Sequence, residues 1–256
     1  MSLPPYSVLP DHYEAVMESV DYDAWAGYVL ELLGSAGASD PIGDLGCGTG
    51  AIARRLRAAG VSVVGMDRSP GMVRKAAQGR GPQAWAVGDL LQIPLASGSL
   101  AGAVCLFDTL NYILRPEDFR RAMAEAARVV APGGPFLFDL NTAYALRHSW
   151  AGPEQVILSE EDRLVIWNAW MEDDDIARLD LTFYLREPDG RFKRVVEVHR
   201  EKAYSLRFVK KALRDVGFEA IEVYTHLTTR PPGSRTARVM VSARRSATPS
   251  ELEPVS

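Results

Sequence analysis

The sequence has few of the features that mark secreted, membrane or polyanion-binding proteins. It contains two cysteines, Cys47 and Cys105, both within apolar segments, so neither a disulfide framework nor a zinc site is supported. No segment approaches an uninterrupted run of about 18 apolar residues, and the N-terminus lacks the parts of a signal peptide. The formal net charge of −4 provides no positive field for nucleic acid. We therefore expect a cytoplasmic protein without metal, membrane or nucleic-acid partners.

Short β-rich runs instead alternate with amphipathic helical stretches between residues 11 and 140. This alternation is typical of a parallel sheet with helices on both faces. The third strand is predicted to begin at Gln83, and the fourth to span Leu100–Phe107. From Val156 to Tyr204 the apolar period changes to two, which predicts an antiparallel β flap. The predicted fold is α/β, with a doubly wound, Rossmann-like, mostly parallel seven-stranded sheet and an inserted flap.

The same patterns divide the chain into predicted parts. Residues 1–40 would form a helical lid, and residues 41–153 with 205–244 an α/β domain that binds a nucleotide-like ligand. Residues 154–204 would form the flap on the substrate side, which is also a candidate homodimer surface. Residues 245–256 are polar and contain two prolines, which predicts a disordered tail.

A glycine-rich segment, IGDLGCGTGA at Ile42–Ala51, follows the first predicted strand. Its glycines permit tight turns and close approach to a ligand, and the next helix offers free N–H groups. Gly46, Gly48 and Ala51 match the dinucleotide pattern G-x-G-x-x-G/A, and Asp67 follows Gly46 by 21 residues. Taken alone, this segment fits a nicotinamide cofactor as well as other nucleosides.

Acidic residues near the ends of three successive strands favour a different ligand. Asp44 places an anion near the turn, which suits an ammonium group better than a pyrophosphate. Asp67 can accept hydrogen bonds from both hydroxyls of a ribose, and Asp89 from an exocyclic amine. An amino acid, a ribose and an adenine together describe S-adenosylmethionine. The neighbouring residues expected to contact the purine are Arg68, Met72 and Leu90.

Four motifs in this order resemble those of the class I S-adenosylmethionine-dependent methyltransferases. They are DLGCGTG, GMDRSPGM, VGDLLQIPL and RVVAPGGPFLFDLNT, which begin at Asp44, Gly65, Val87 and Arg128. The segments YEAVMESVDYDAWAGYVLELL, FDTLNYI and EVHREKAYS are similar to a bacterial subfamily with a β-rich insertion before the last helix. This sequence departs from the family pattern at Glu14, where an aspartate usually follows the tyrosine.

The resemblance implies S-adenosylmethionine as cofactor, with S-adenosylhomocysteine as its product. It implies that Asp67 binds the ribose, that Asp89 and Leu90 contact the adenine, and that the glycine turn passes beneath the methionine part. The N-terminal lid would add aromatic contacts. The full predicted cofactor set is Tyr13, Trp25, Asp44, Gly46, Cys47, Gly48, Asp67, Arg68, Met72, Asp89, Leu90, Phe107 and Asp108.

Methyl transfer is a displacement at an activated carbon, so positioning does much of the work, and a base is needed only where the acceptor loses a proton. Asp108 is one candidate base, because it follows the fourth strand at the carboxyl edge of the sheet. Glu197 and His199, on one face of the flap, are the other candidates. An alternative interpretation makes that face a solvated set of ion pairs. The candidate substrate-binding residues are Asn111, Tyr112 and Tyr204.

The predicted function is S-adenosylmethionine-dependent N- or O-methylation of a small-molecule acceptor. One alternative is a catalytically silent S-adenosylmethionine-binding regulatory protein, and another is a nicotinamide-dependent oxidoreductase. A nucleic-acid methyltransferase is disfavoured because the chain is acidic and lacks an Asn/Asp-Pro-Pro-aromatic motif. The isolated histidines, His12, His148 and His226, are expected at the surface.

Overall fold

The computed structural model describes residues 2–37, 39–79 and 84–247. Gln83, the predicted start of the third strand, and residues 248–256 of the predicted disordered tail lie outside the described residues. The N-terminal part has a 3₁₀ turn at Leu9–Asp11, followed by helices α1 (Tyr13–Val16) and α2 (Tyr22–Ser35). No helix within the described ranges is long and apolar enough to cross a bilayer.

Parallel strands and helices alternate through the first half of the chain. The strands are β1 (Ile42–Leu45), β2 (Val63–Asp67), β3 (Ala84–Val87), β4 (Gly102–Cys105) and β5 (Pro135–Asn141). The helices between them are α3 (Ala51–Ala58), α4 (Pro70–Gln78) and α5 (Pro116–Val129). Every residue of β1, β4 and β5 is buried, as expected for central strands that are covered on both faces.

Strand β4 is shorter than predicted, because the backbone turns sharply after it. Phe107 and Asp108 both have left-handed conformations, with φ of 55° and 54°, which no extended strand can accommodate. A 3₁₀ turn, Thr109–Tyr112, follows at once. This turn brings polar side chains to the carboxyl edge of the sheet.

An antiparallel sheet is inserted after the short helix α6 (Ala143–Ala145) and a π-helical turn at Leu146–Trp150. Its strands, in spatial order, are β6 (Gln155–Ser159), β7 (Arg163–Met171), β8 (Ile176–Arg186) and β9 (Phe192–Lys202). The predicted period of two is visible in β8, where Leu179, Leu181 and Phe183 are buried on one face. That face packs against Leu9 of the N-terminal segment.

The chain returns to the main sheet through α7 (Leu206–Asp215), β10 (Phe218–Thr225) and β11 (Arg238–Arg245). The side chain of Ser205 accepts a hydrogen bond from the N–H of Phe208 at 3.2 Å and caps α7. Within the described chain the main sheet has the order β10-β11-β5-β4-β1-β2-β3, with β11 antiparallel to both neighbours. The predicted α/β fold, with its mostly parallel seven-stranded sheet and antiparallel flap, is confirmed.

The N-terminal segment is tied to the flap by main-chain and side-chain hydrogen bonds. Leu3 pairs with the free edge of β9: its N–H donates to Val196 O at 2.8 Å, and its carbonyl accepts from the N–H of Val198 at 3.0 Å. The carboxylate of Glu197 accepts from the N–H groups of Tyr6 at 3.0 Å, Leu9 at 2.8 Å and Val8. These bonds hold the segment across the carboxyl edge of the main sheet.

Aromatic packing between α5 and α7 holds one helical layer on the sheet, and it provides a stability prediction. Phe119 is 0% exposed, and its ring centroid lies 4.4 Å from that of Tyr204 and 5.6 Å from that of Phe208. Phe119→Ala is expected to lower the free energy of unfolding by about 3–5 kcal/mol, because the cavity left behind cannot collapse fully. Chemical denaturation with urea measures this change.

The matched control is Arg121→Ala on the exposed face of the same helix. It should change the free energy of unfolding by no more than about 0.5 kcal/mol. Equal losses in the two variants would contradict the assignment of Phe119 to the core.

Candidate functional site

A cavity of about 740 Å³ lies at the carboxyl ends of β1, β2, β3 and β4, beneath the N-terminal segment. It is lined by the glycine turn after β1, by the loops after the next three strands, and by side chains of β9. In open α/β sheets, ligands bind at this edge. The volume is within the usual range for a small-molecule site.

The glycine turn is held against the end of β2. The N–H groups of Gly46 and Cys47 both donate to Met66 O, at 2.7 and 2.8 Å. Gly46 has a φ of 85°, and a Cβ there would lie 2.5 Å from Thr109 Cγ2, so only glycine fits. Gly48, with a φ of 54°, has open space where a Cβ would be. The turn therefore leaves room for a ligand above Gly48.

Asp67 joins the glycine turn to the next helix. Its Oδ2 accepts from the N–H of Gly48 at 2.9 Å, and its Oδ1 from the N–H of Ser69 at 2.8 Å. Burial nevertheless raises the pKa of Asp67, and these backbone hydrogen bonds only partly oppose that effect. Each oxygen retains further acceptor capacity toward the cavity that Asp67 lines.

Asp44 is a buried carboxyl group that lacks a full set of partners. It is 2% exposed, and its Oδ2 has no hydrogen-bond partner among the described residues. Burial, followed by the charge of Asp67, raises the pKa of Asp44 to about 7. Because buried polar atoms are almost always paired in native proteins, this oxygen requires a donor from outside the chain. Asp44 lines the cavity, so a ligand can supply that donor.

The loop after β3 contributes the third acid. Asp89 Oδ1 accepts from the N–H of Leu91 at 2.8 Å, and this bond shapes the loop beside the cavity. Arg68 Nε lies 3.8 Å from Asp89 Oδ2, and both side chains are substantially exposed, so this pair contributes little to stability. Both residues line the cavity, as does Leu90.

The structure brings together most of the residues predicted to bind the cofactor. Those that line the cavity are Tyr13, Asp44, Gly46, Cys47, Gly48, Asp67, Arg68, Met72, Asp89, Leu90 and Phe107. Tyr112, predicted to bind the substrate, also lines it. Trp25 and Asp108 do not.

The prediction that Trp25 contacts the ligand is corrected by its place in the core. Trp25 is 6% exposed, and its ring packs behind Phe107, with centroids 4.4 Å apart. His226 lies on the ring of Trp25 as well, with centroids 4.2 Å apart, and is half-buried rather than at the surface as predicted. Burial lowers the pKa of His226 to about 4. Tyr22, one turn earlier on α2, lines the cavity instead.

Asp108 is engaged in an ion pair and is therefore not the predicted free base. Its Oδ2 accepts from Arg238 Nη2 at 2.8 Å and from Asn141 Nδ2 at 2.7 Å. Arg238 also pairs with the buried Asp139, whose pKa is raised to about 6, chiefly by burial. The network continues to Glu201, which accepts from Asn141 Nδ2 at 2.8 Å. It connects the main sheet to the flap.

Asn111 and Tyr204 also lie away from the cavity, which corrects their predicted role in substrate binding. Asn111 is fully buried, and its Nδ2 donates to Asn141 O at 3.0 Å and to Lys202 O at 2.8 Å. The hydroxyl of Tyr204 donates to Ile113 O at 2.6 Å. Both side chains fasten the turn after β4 to neighbouring strands.

Glu197 and His199 are together on one face of β9, as predicted, but neither lines the cavity. They are 0% and 1% exposed, so the alternative of a solvated ion-pair face is also wrong. The N-terminal segment and the turn after β4 cover this face. His199 Nε2 lies 3.2 Å from Glu197 Oε2, and His199 Nδ1 lies 3.0 Å from the hydroxyl of Tyr112. The opposite face of β9 contributes Val198 and Arg200 to the cavity.

Sequence reasoning missed several lining residues. They are Tyr6, Tyr22, Thr49, Ser69, Val198 and Arg200. Tyr6 belongs to an aromatic-rich N-terminal segment, which was a usable signal, and it has a left-handed φ of 59°. Arg200 and Val198 gave no signal, because alternation alone does not tell which face of β9 borders the cavity. No group of three or more potential metal-ligating side chains occurs in the described part of the chain.

Comparisons with known proteins agree with this geometry. A family model described as "Methyltransferase domain" matches residues 42–134. A chain of Geobacillus sp. (strain WCH70) that carries a methyltransferase name is 29% identical over 242 residues, which cover 91% of this chain and 96% of the relative. An S-adenosylmethionine-dependent methyltransferase from Clostridium acetobutylicum has a similar structure, with a TM-score of 0.79 and 22% identity over 92% of this chain and 96% of that chain.

A further similar structure was solved with S-adenosylmethionine bound. It is CalS10, an amino pentose methyltransferase from Micromonospora echinaspora, with a TM-score of 0.69 and 18% identity. The match covers 96% of this chain and 100% of that chain.

The raised pKa of Asp44 makes the stability of the protein depend on pH. Its folded pKa is about 7, whereas an unfolded Asp titrates near about 3.9. The folded state therefore binds an extra proton between these values, and the contribution of Asp44 to stability falls as the pH rises through this window. At pH ~8, Asp44→Asn should have a higher free energy of unfolding than the wild type, by on the order of 4 kcal/mol, and should therefore unfold at a higher denaturant concentration.

At pH ~4 the two proteins should be nearly equally stable, since both side chains are then neutral. Asp174→Asn is the control, because Asp174 is exposed, and its difference from the wild type should stay constant with pH. A difference between Asp44→Asn and the wild type that does not vary with pH would contradict the burial of an unpaired carboxyl group at this position.

Proposed function

Because this chain is a class I S-adenosylmethionine-dependent methyltransferase, we propose that its cavity binds this cofactor beside a small-molecule acceptor, which is methylated on nitrogen or oxygen. The observation that carries the proposal is the buried, unpartnered Oδ2 of Asp44 next to the glycine turn. An ammonium group is the donor that such an oxygen accepts most strongly.

The lining residues fit the chemical groups of S-adenosylmethionine. Asp44 would accept from the amino group, and the open space above Gly48 would admit the methionine part. Asp67 would accept from the ribose hydroxyls, with acceptor capacity left after its two backbone bonds. Asp89 and the N–H of Leu90 would contact the adenine. These assignments follow the order of the strands in the sheet.

When bound, S-adenosylmethionine supplies a methyl group on a positively charged sulfur, which is already electrophilic. The protein then contributes position and the exclusion of water. Aromatic side chains enclose the cavity: they are Tyr6, Tyr13, Tyr22, Phe107 and Tyr112. Aromatic faces also attract cations, so this wall favours a sulfonium.

The acceptor would bind between the N-terminal segment and β9. Tyr6, Tyr112, Val198 and Arg200 line this part of the cavity, and the proposed cofactor contacts do not use them. The flap would thus lie on the substrate side. The N-terminal segment narrows the entrance, which favours a small acceptor. CalS10, which has the same fold, is named for an amino pentose, and that name supports the same class of acceptor.

Three alternatives are less well supported. A nicotinamide dinucleotide would place its pyrophosphate near the carboxyl groups of Asp44 and Asp67, which is electrostatically unfavourable. A catalytically silent binding protein would not need the hydroxyl of Tyr112 beside the cofactor, nor the space bounded by β9. A nucleic-acid acceptor is opposed by the net charge of −4.

The proposal predicts both binding and transfer. The wild-type protein should bind S-adenosylmethionine in calorimetry and transfer tritium from its labelled methyl group to a component of a small-molecule extract. Asp67→Ala should bind the cofactor at least about 30-fold more weakly, because buried acceptors for two hydroxyls are lost.

The Asp174→Asn variant is the control, since the Asp174 side chain is exposed and does not line the cavity. It should retain the wild-type affinity. Tight binding of NADH without binding of S-adenosylmethionine would overturn the proposal, whereas cofactor binding with label transfer only to RNA would overturn the small-molecule acceptor.

A further inference from the structure

A continuous hydrogen-bonded path leads from the cavity wall into the protein. The hydroxyl of Tyr112 lies 3.0 Å from His199 Nδ1, and His199 Nε2 lies 3.2 Å from Glu197 Oε2. Tyr112 lines the cavity, whereas His199 and Glu197 are buried. The path thus begins where an acceptor would bind and ends at a carboxylate out of contact with solvent.

The surroundings of Glu197 fix its charge state. Besides His199, three backbone N–H groups donate to its carboxyl group, from Tyr6, Val8 and Leu9. Burial raises the pKa of Glu197, but the hydrogen bonds from His199 and from the backbone outweigh burial and lower it below the ordinary value. Glu197 is therefore an ionised acceptor.

The charge of Glu197 in turn fixes the tautomer of His199. Because the carboxylate can only accept, His199 Nε2 must carry a hydrogen and donate it. In the neutral imidazole, Nδ1 is then the acceptor, so the hydroxyl of Tyr112 donates to it. The hydroxyl of Tyr6 also interacts with that of Tyr112. A remaining lone pair of the Tyr112 oxygen can accept a hydrogen bond from a molecule in the cavity.

We propose that Tyr112, His199 and Glu197 form a relay that removes a proton from the nucleophilic atom of the acceptor. This inference rests on the proposed function and deepens it. Tyr112 is the catalytic residue, because it would touch the acceptor. His199 and Glu197 are positioning residues, which act through Tyr112. The same logic of a base oriented by a buried carboxylate operates in hydrolytic triads.

Methyl transfer with loss of a proton from the acceptor needs no reactant besides the acceptor and S-adenosylmethionine. The acceptor nitrogen or oxygen forms a bond to the methyl carbon as the carbon–sulfur bond breaks, and that electron pair remains on the sulfur. The proton of the acceptor passes to the Tyr112 oxygen while the proton of Tyr112 passes to His199 Nδ1. The resulting imidazolium is stabilised by the Glu197 carboxylate. After the product leaves, the proton returns through Tyr112 to water.

The two proton transfers must occur together. Burial raises the pKa of Tyr112 well above its usual value, so a free tyrosinate at this position is unfavourable. A tyrosine that gains one proton as it loses another avoids that charge. The relay therefore requires an acceptor with a removable proton, such as an amine or a hydroxyl compound. A carboxylate acceptor, which is already ionised near neutral pH, would leave the relay without a role.

The tautomer of His199 provides a test that does not depend on methyl transfer. The chain has four histidines, so long-range proton–nitrogen NMR spectra of the labelled protein with S-adenosylhomocysteine can be assigned by comparison with His199→Gln. We expect a protonated Nε2 and an unprotonated Nδ1 in His199. The chemical shift of Nδ1 should differ between the wild type and Tyr112→Phe, because the variant lacks the hydroxyl that donates to Nδ1. A protonated Nδ1 in the neutral ring would overturn the relay.

Methyl transfer provides the second test, with tritium-labelled S-adenosylmethionine and a panel of amines, phenols, alcohols and carboxylates as probes. Tyr112→Phe should lower kcat for amine or hydroxyl probes by about 10²- to 10⁴-fold and leave the affinity for S-adenosylhomocysteine within about twofold. His199→Gln should lower kcat in the same range. The matched control is Tyr28→Phe, which should keep full activity. It removes a tyrosine hydroxyl that donates a hydrogen bond to Thr228 O and does not line the cavity.

The outcomes separate the relay from the proposed function. If the wild type fails to bind S-adenosylhomocysteine, the proposed function is wrong and the relay falls with it. If the wild type binds and methylates amine or hydroxyl probes but Tyr112→Phe is fully active, only the relay is wrong. Transfer to carboxylate probes alone would likewise overturn the relay.

Discussion

The carboxylate of Asp67 makes the interaction on which the candidate site depends. It accepts one hydrogen bond from the glycine turn, at Gly48, and another from the start of α4, at Ser69. Two loops that follow different strands are thereby held in one arrangement. Together with the hydrogen bonds that Gly46 and Cys47 donate to Met66 O, this link fixes the glycine turn beside the end of β2.

A second carboxylate, that of Glu197, closes the site from the other side. The N-terminal segment pairs with β9 at Leu3. It is also tied to the region of α4, where Ser69 Oγ donates to Tyr6 O at 3.3 Å and Lys75 Nζ lies 2.8 Å from Asp11 Oδ1. The carboxylate of Glu197 accepts hydrogen bonds from three backbone N–H groups of this segment. Without it, these groups would need water or a backbone carbonyl as acceptor. The same residue hydrogen-bonds to His199, so the position of the N-terminal segment and the orientation of this buried imidazole depend on one side chain. A change at Glu197 is therefore expected to affect both properties together.

The features that could be predicted from the sequence are those encoded locally. Asp44, Asp67 and Asp89 each lie at or just after the end of a strand, and parallel strands present these ends at one edge. The alternation of β8 and the cap at Ser205 are likewise local patterns. Such signals were sufficient for the fold, and most of the residues that they assigned to the cofactor line the cavity.

The features that escaped prediction depend on contacts between distant parts of the chain. Asp108 resembles a free base until Arg238, 130 residues later, is known to pair with it. The face of β9 that carries His199 resembles a solvated edge until Leu3 is seen to cover its border. Trp25 and Tyr22 lie one turn apart on the same helix, and Phe107 packs against both, but only Tyr22 borders the cavity. Periodicity carries no information on such pairings.

We propose that carboxyl groups at the strand ends, rather than the glycines, select the ligand. This proposal is tested by calorimetric titration of the wild type and Asp44→Asn with S-adenosylhomocysteine and with its analogue that lacks the amino group. Loss of the amino group should weaken binding to the wild type by at least about tenfold and to Asp44→Asn only slightly, because the charge-assisted hydrogen bond is already absent there. An equal loss of affinity in both proteins would contradict the claim.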